Sequence, residues 1–198
     1  VTLHTHVGIA AICVQKFLDL DVTWTVANNG SVDLALHAQR NTVFPELPRF
    51  GLRLFLPQEM SQVNYYGMGP MECYRDKHHA ASHSSYTATV WQLHEDYIRP
   101  QENGSHFDCD YVMLAGDAVR LTAVGTQPFS FNASHYTQEE LTRKAHNYEL
   151  EPCGSTVLCL DYAQNGIGSE SCGPRLLEQY RLDDATFNFG LRLFPEKK

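Results

Sequence analysis

Apolar and polar residues alternate along several stretches of the chain, and a period of two is typical of a β-strand with one buried face. The clearest alternation runs from Leu18 to Val26 and resumes from Val32 to Leu36. Between these runs lies the sequence Asn28-Asn29-Gly30-Ser31, whose residue types favour a tight turn. Together the three segments predict an antiparallel β-hairpin.

Similar but shorter patterns predict further strands at residues 50–56, 63–65, 110–114, 119–124, 129–131, 156–162 and 187–193, the last of them ending before Pro195. The sequence Thr137-Gln138-Glu139-Glu140 matches a capping box, in which the threonine hydroxyl and the Glu140 carboxylate satisfy reciprocal backbone donors. It predicts a helix over about residues 138–146. Residues 71–109 are polar and rich in histidine, so we expect a long loop there, with a short helix around residues 88–95.

Many short strands, few helices and no regular alternation of the two predict an all-β sandwich. A chain of 198 residues with 43% hydrophobic residues is expected to form one globular domain. A net charge of −8 argues against a nucleic-acid partner, because no surplus of cations can neutralise phosphates. No apolar run is long enough to span a membrane.

The N-terminal end and the cysteines favour a fragment of a cytoplasmic protein. The chain begins at Val1, without an initiator methionine and without the basic and apolar regions of a signal peptide. Its six cysteines include no CxxC pair, which argues against a zinc site, and they are sparse for a disulfide-rich scaffold.

A glycine-rich segment, Asn165-Gly166-Ile167-Gly168-Ser169-Glu170-Ser171-Cys172-Gly173-Pro174, follows the strand predicted at 156–162. Its glycines and proline exclude regular structure and allow a backbone with positive φ. By spacing alone, a structural turn is the simpler interpretation.

Histidines and carboxylates are the candidates for chemistry within the chain. His78, His79 and His83 form one cluster and His4 with His6 another. Neither has the helical spacing of a metalloprotease site, so we expect solvent-exposed loop histidines and no metal.

Glycoside hydrolysis requires two carboxyl groups that face one sugar, about 5 Å apart in a retaining enzyme. The carboxylates of the 71–109 region could include such a pair: Glu72, Asp76, Asp96 and Glu102. Basic residues lie close to them in sequence, namely Arg75, Lys77 and Arg99. Structural ion pairs are therefore the more economical interpretation, and we expect no catalytic residue in this chain.

Five segments occur in a fixed order: LPRFG at 47–51, YGMGPMECYRD at 66–76, YIRPQENG at 97–104, PFSFNASHY at 128–136 and GIGSESCGP at 166–174. The ordered set resembles the C-terminal domain of glycoside hydrolase family 2 β-galactosidases, which is also the bulk of the small chain in two-chain enzymes. Positions that match the family pattern are expected to serve structure or docking between domains: Tyr66, Gly67, Gly69, Pro70, Glu72, Tyr74, Asp76, Pro100, Gln101, Glu102 and Gly104.

The resemblance implies an antiparallel β-supersandwich of the galactose mutarotase type with one or two short helices. It implies that residues 1–198 are a single domain that lacks its first strands. The catalytic glutamates and Mg²⁺ are then expected in a separate TIM-barrel domain or large chain, which would be the partner of this chain. A bacterial, cytoplasmic and oligomeric parent that hydrolyses terminal β-D-galactosides such as lactose is expected, and the isolated chain is expected to be inactive.

The glycine-rich segment acquires a role through the same resemblance. In the family the matching loop reaches the mouth of the active site, so Ser171, Cys172 and Gly173 are expected near the substrate. Some members have tryptophan at the position of Cys172, where it stacks on the aglycone sugar. Cysteine offers no aromatic platform, so we expect a weaker or differently shaped acceptor site.

Two alternatives remain open. An autonomous aldose 1-epimerase of the same fold would need a general acid and base, which could be His78, His79 or His106 with Glu72 or Glu102. A carbohydrate-binding module would need only affinity for a sugar.

Overall fold

The hairpin is present in the computed structural model, which describes residues 1–166 and 173–198. Leu18–Val26 forms β2 and Val32–Arg40 forms β3, and they pair antiparallel. In the turn, Asn29 Oδ1 accepts a hydrogen bond of 3.1 Å from the backbone N–H of Ser31, and Gly30 adopts a φ of +83°. The side chain and the glycine therefore make the turn that the sequence predicts.

The described residues form ten strands and one α-helix. The strands are β1 (Thr2–Ile9), β2, β3, β4 (Arg49–Pro57), β5 (Gln62–Gly69), β6 (Ser82–Thr89), β7 (His106–Ala115), β8 (Val119–Ser134), β9 (Ser155–Gln164) and β10 (Thr186–Lys197). The helix is α1 (Gln138–Arg143), and short 3₁₀ turns occur at Val90–Leu93, Asn147–Glu149 and Glu178–Tyr180.

Strand β8 connects the two parts of the sheet. Eight strands follow the order β1-β2-β3-β10-β8-β7-β5-β6, while β4 pairs with β9 and β9 pairs with β8. The first part of β8 pairs with β10, up to Gly125, and its last part pairs with β9 from Ser130 onward. The apolar faces of both parts meet in one core, which includes Leu18, Phe131 and Leu160. The predicted antiparallel sandwich is confirmed.

The expectation of a long loop over residues 71–109 is wrong. Residues Ser82–Thr89 form β6, and β7 already begins at His106. Strand β6 pairs with β5 alone among the described strands, and most of its side chains are exposed. Because most of its side chains are exposed, it lacks the buried apolar face that makes a strand recognisable in the sequence. The same reason explains why β1 was not predicted. The short helix expected at 88–95 is the 3₁₀ turn Val90–Leu93.

Three elements also end at residues other than those that the sequence predicts. The segments predicted at 119–124 and 129–131 belong to one strand, β8. Strand β10 continues through Pro195, because its pairing with β3 ends at Leu193 and the proline needs no donor on that side. Helix α1 ends at Arg143, and Thr137 Oγ1 accepts from the Glu140 N–H at 3.1 Å as predicted. The Glu140 carboxylate, however, accepts from the Glu151 N–H, so the reciprocal half of the box does not form.

Candidate functional site

The carboxylate of Glu72 is buried and fastens two of the sequence motifs together. It accepts hydrogen bonds from the Tyr74 hydroxyl at 3.0 Å, Lys77 Nζ at 2.9 Å and the Gly104 N–H at 3.0 Å, and also from the Tyr97 hydroxyl. Burial alone would raise the pKa of Glu72, but these donors outweigh it and hold that pKa below its usual value. Glu72 is thus an ionised residue with a structural role. Its ion pair with Lys77 agrees with the interpretation of these carboxylates as members of structural ion pairs.

Other positions of the same two motifs lie around the Glu72 carboxylate or next to it in the sequence. Gly104 has a φ of +70°, and an added Cβ would lie 2.3 Å from the Leu93 carbonyl oxygen, so only glycine fits. Pro100 is buried, whereas Gln101 is exposed. The backbone carbonyl of Gln101 accepts a hydrogen bond from Asn103 Nδ2 at 2.9 Å. Burial raises the pKa of Tyr74, which therefore stays a protonated donor to Glu72.

A second polar centre surrounds Arg49 of the LPRFG segment. Its guanidinium donates to both carboxylate oxygens of Asp161, at 2.9 and 2.7 Å, to Glu102 at 2.7 Å and to Asn132 at 2.5 Å. Asn132 Nδ2 also donates to Glu102 at 2.8 Å. Burial raises the pKa of Asp161 to about 6, although the charge of Arg49 opposes this. Glu102 thus pairs with Arg49 and not with Arg99, which sequence proximity had suggested.

Glycines in the YGMGPMECYRD segment leave room for side chains that pack closely against the backbone of β5. A Cβ on Gly67 would lie 2.3 Å from Cys109 Sγ, and one on Gly69 would lie 2.3 Å from the Tyr65 hydroxyl. Tyr66 is exposed, with its ring edge-on to His83 at 4.7 Å. Pro70 is exposed and directly follows the buried Gly69 at the end of β5.

Asp76 joins this segment to the glycine-rich one. A Cβ built on Gly166 would lie 1.9 Å from an Asp76 carboxylate oxygen, so that carboxylate packs directly on the Gly166 backbone. Gly173 is exposed, and no heavy atom of the described residues lies within 4 Å of its Cβ position. Ser171 and Cys172 lie outside the described residues.

The groups required by an autonomous epimerase are poorly suited to proton transfer. Glu72, His78 and His79 line one pocket of about 300 Å³, but the donors around Glu72 make it a weak base. His106 is buried below Tyr65, with Nδ1 at 3.0 Å from its hydroxyl, and desolvation lowers the pKa of His106 to about 4.

The other candidate histidines lie on strands and not in loops: His4 and His6 on β1, and His83 on β6. In the described part of the chain, no group of three or more His, Cys, Asp or Glu side chains is arranged to hold a metal ion. No helix among the described residues has the length and apolarity needed to cross a membrane.

A known family model matches almost the whole chain. The family model of the beta-galactosidase small chain matches residues 1–193. The chain belongs to this family. Among its relatives, the β-galactosidase of Actinobacillus pleuropneumoniae is 46% identical over 190 residues, and that of Staphylococcus xylosus is 40% identical over 193. These matches cover 96% and 98% of this chain but 18% and 19% of the relatives. The small-chain domain therefore spans about a fifth of the relatives' length.

Solved structures show the fold of this small-chain domain. A galactose 1-epimerase from Lactobacillus acidophilus NCFM superposes with a TM-score of 0.50 at 10% identity, over 99% of this chain and 61% of the epimerase. A GalM/aldose epimerase homologue from C. elegans gives 0.51 at 8% identity, over 99% and 65%. The galactose mutarotase-like architecture implied by the sequence resemblance is confirmed.

Proposed function

We propose that this chain is the C-terminal, non-catalytic part of a β-galactosidase that hydrolyses terminal β-D-galactosides such as lactose with retention of configuration. The observation that carries the proposal is the family match over residues 1–193, supported by relatives that share the name β-galactosidase. Because the matches cover under a fifth of those relatives, the rest of the parent is the natural partner, either as further domains or as a large chain.

The chemistry of the two motif glutamates supports catalysis by another domain. A retaining glycosidase needs one carboxylic acid that can donate a proton and one carboxylate that is free to attack. Glu72 is held ionised by four donors, and Glu102 is bound by Arg49 and Asn132. The catalytic glutamates and Mg²⁺ are accordingly assigned to the separate catalytic domain of a bacterial, cytoplasmic and oligomeric parent.

The domain boundary is part of the same proposal: residues 1–198 form one domain whose first strands come from the preceding part of the parent. Among the described strands, β1 pairs with β2 alone. On β1 the side chains of Leu3 and Val7 are 56% and 41% exposed. An added strand would satisfy the free backbone groups of this edge and cover the two side chains.

The test of the proposal is to assay the complete parent and the 198-residue chain separately with a nitrophenyl β-galactoside. The parent is expected to hydrolyse it, and the chain alone is expected to give no rate above the blank. Turnover by the chain alone contradicts the assignment of catalysis to another domain.

Within the parent, we assign Ser171, Cys172 and Gly173 to the aglycone side of the active site. The contact between Asp76 and Gly166 supports this, since it attaches the start of the glycine-rich segment to the motif at residues 66–76.

Replacing Cys172→Trp in the complete enzyme should strengthen a sugar acceptor relative to water by about 1 kcal/mol, because tryptophan adds an aromatic platform. The ratio of galactosyl transfer to hydrolysis with added glucose measures this. Cys172→Ser is the matched control, and an unchanged ratio in the tryptophan variant removes the segment from the acceptor site.

A further inference from the structure

A polar pocket lies where β8 changes partners, outside the Glu72 and Arg49 centres. It has a volume of about 210 Å³, and its lining includes Arg75, Asp108, Gln127, Ser130 and Tyr162. These side chains come from four separate parts of the sequence, so only the fold brings them together.

An irregularity in β7 directs Asp108 into this lining. The pairing of β7 with β8 shifts register between His106 and Cys109 and again between Cys109 and Tyr111. Within this interruption Asp108 adopts a φ of +56°, an unusual conformation for a residue other than glycine. Bulges of this kind re-aim side chains and are over-represented next to functional sites.

Four polar side chains of the pocket have no role in holding the described part of the fold together. Among the described residues, neither the guanidinium of Arg75 nor the carboxylate of Asp108 has an ion-pair partner within 4.0 Å, although both line the same pocket. Gln127 and Ser130 likewise make no side-chain hydrogen bond within that part of the chain. The Arg75 guanidinium therefore remains available to a ligand as a hydrogen-bond donor, and the Asp108 carboxylate as an acceptor. The Gln127 amide and the Ser130 hydroxyl can each donate and accept.

This combination fits a neutral polyhydroxylated ligand. Sugar hydroxyls can donate to the Asp108 carboxylate and accept from the Arg75 guanidinium, while the opposite charges of these two residues cancel. Tyr162 adds an aromatic ring, fixed by stacking on Phe187 at a centroid distance of 4.5 Å, against which the C–H face of a sugar can pack.

The pocket also continues along the sheet. Gln127 borders a second pocket of about 410 Å³ whose lining includes Asp21, His37 and Asn188. There His37 Nδ1 lies 2.9 Å from Asn188 Oδ1. Both linings include Gln127, and we call the two neighbouring pockets together the groove; their combined volume falls within the roughly 300–1,000 Å³ of small-molecule sites.

We propose that this groove binds the outer sugar units of an oligosaccharide galactoside, beyond the sugar that is attached to the cleaved galactose. Arg75 precedes Asp76, whose carboxylate packs on Gly166 at the start of the glycine-rich segment. The groove therefore begins beside the segment that we assign to the aglycone side. This inference rests on the proposed function, because it concerns the substrate of the complete enzyme.

The test compares two substrates of the complete enzyme: a nitrophenyl β-galactoside and a galactoside whose aglycone is a disaccharide. Asp108→Asn removes the carboxylate while asparagine tolerates positive φ, and Gln127→Ala removes the shared amide. In each variant, kcat/KM for the trisaccharide relative to the nitrophenyl substrate is expected to fall about fivefold to tenfold, as for the loss of one or two hydrogen bonds.

Asp110→Asn is the matched control, because it makes the same change on the same strand at an exposed position outside the groove. Its ratio of kcat/KM values should equal that of the unmodified enzyme. An unchanged ratio in both Asp108→Asn and Gln127→Ala overturns the inference. Failure of the unmodified enzyme to hydrolyse the nitrophenyl substrate would instead contradict the proposed function, so the two results are distinguishable.

Discussion

At the scale of single residues, Glu72 shows which contacts a sequence reveals. Lys77 lies five positions away, and its pairing with Glu72 was predicted from that proximity. Tyr97 and Gly104 belong to a distant segment, and nothing in their spacing announces that they converge on the same carboxylate. The family motifs include Glu72, Tyr97 and Gly104 but not Lys77, and only the fold explains the four residues as one hydrogen-bonded centre.

Replacing Glu72→Gln should destabilise the domain by about 3 kcal/mol at neutral pH, because the buried carboxylate is lost and Lys77 and three other donors lose their anion. The folded pKa of Glu72 is lowered, so its contribution is complete above the pKa of the unfolded chain and disappears as the pH falls toward the folded value. The variant should therefore lose less stability than the unmodified protein between pH 6 and about 3.

Urea unfolding of the purified protein at several pH values measures both effects. Glu178→Gln is the control, since this side chain is 89% exposed and its change should leave the free energy of unfolding within about 0.5 kcal/mol. Equal acid sensitivity of the Glu72→Gln variant and the unmodified protein would contradict the role assigned to Glu72.

At the scale of elements, the strands that were predicted are those with one apolar face. The alternation in β2, β3, β4 and β10 is strong because each of these strands contributes to the core. Strands β1 and β6 were missed, since each pairs with a single neighbour and carries mostly exposed side chains. The bulge in β7 was also missed, because Cys109-Asp110-Tyr111 gives no sign of positive φ at the preceding residue.

The close approach of β5 to this bulge predicts the effect of Gly67→Ala. The new methyl group would lie 2.3 Å from Cys109 Sγ and 2.8 Å from its Cα, so the strands must separate. We expect a loss of about 2 kcal/mol in the free energy of unfolding, as for overpacked cores. Thermal unfolding with Gly173→Ala as the control measures it, since within residues 1–166 and 173–198 no heavy atom lies within 4 Å of that Cβ position. Similar melting temperatures for both variants would contradict the packing described.

At the scale of the whole molecule, composition and alternation predicted an all-β sandwich but not how its strands are connected. The pairing of β4 with β9 joins segments separated by about half of the chain, and its register depends on contacts such as Arg49 with Asp161 that no local pattern encodes. The ordered motifs supplied the supersandwich architecture. The ordered motifs do not identify the groove, because its residues belong to no common motif: Arg75, Asp108, Gln127 and Tyr162.

We propose that this domain completes an active site whose catalytic groups lie elsewhere in the parent. The most direct measurement removes the segment corresponding to residues 1–198 from the parent and then adds the purified 198-residue chain back, following hydrolysis of a nitrophenyl β-galactoside. Neither part alone should turn over the substrate, and mixing them should restore a rate that saturates with added chain. Full activity of the truncated parent, or turnover by the 198-residue chain alone, would contradict the account.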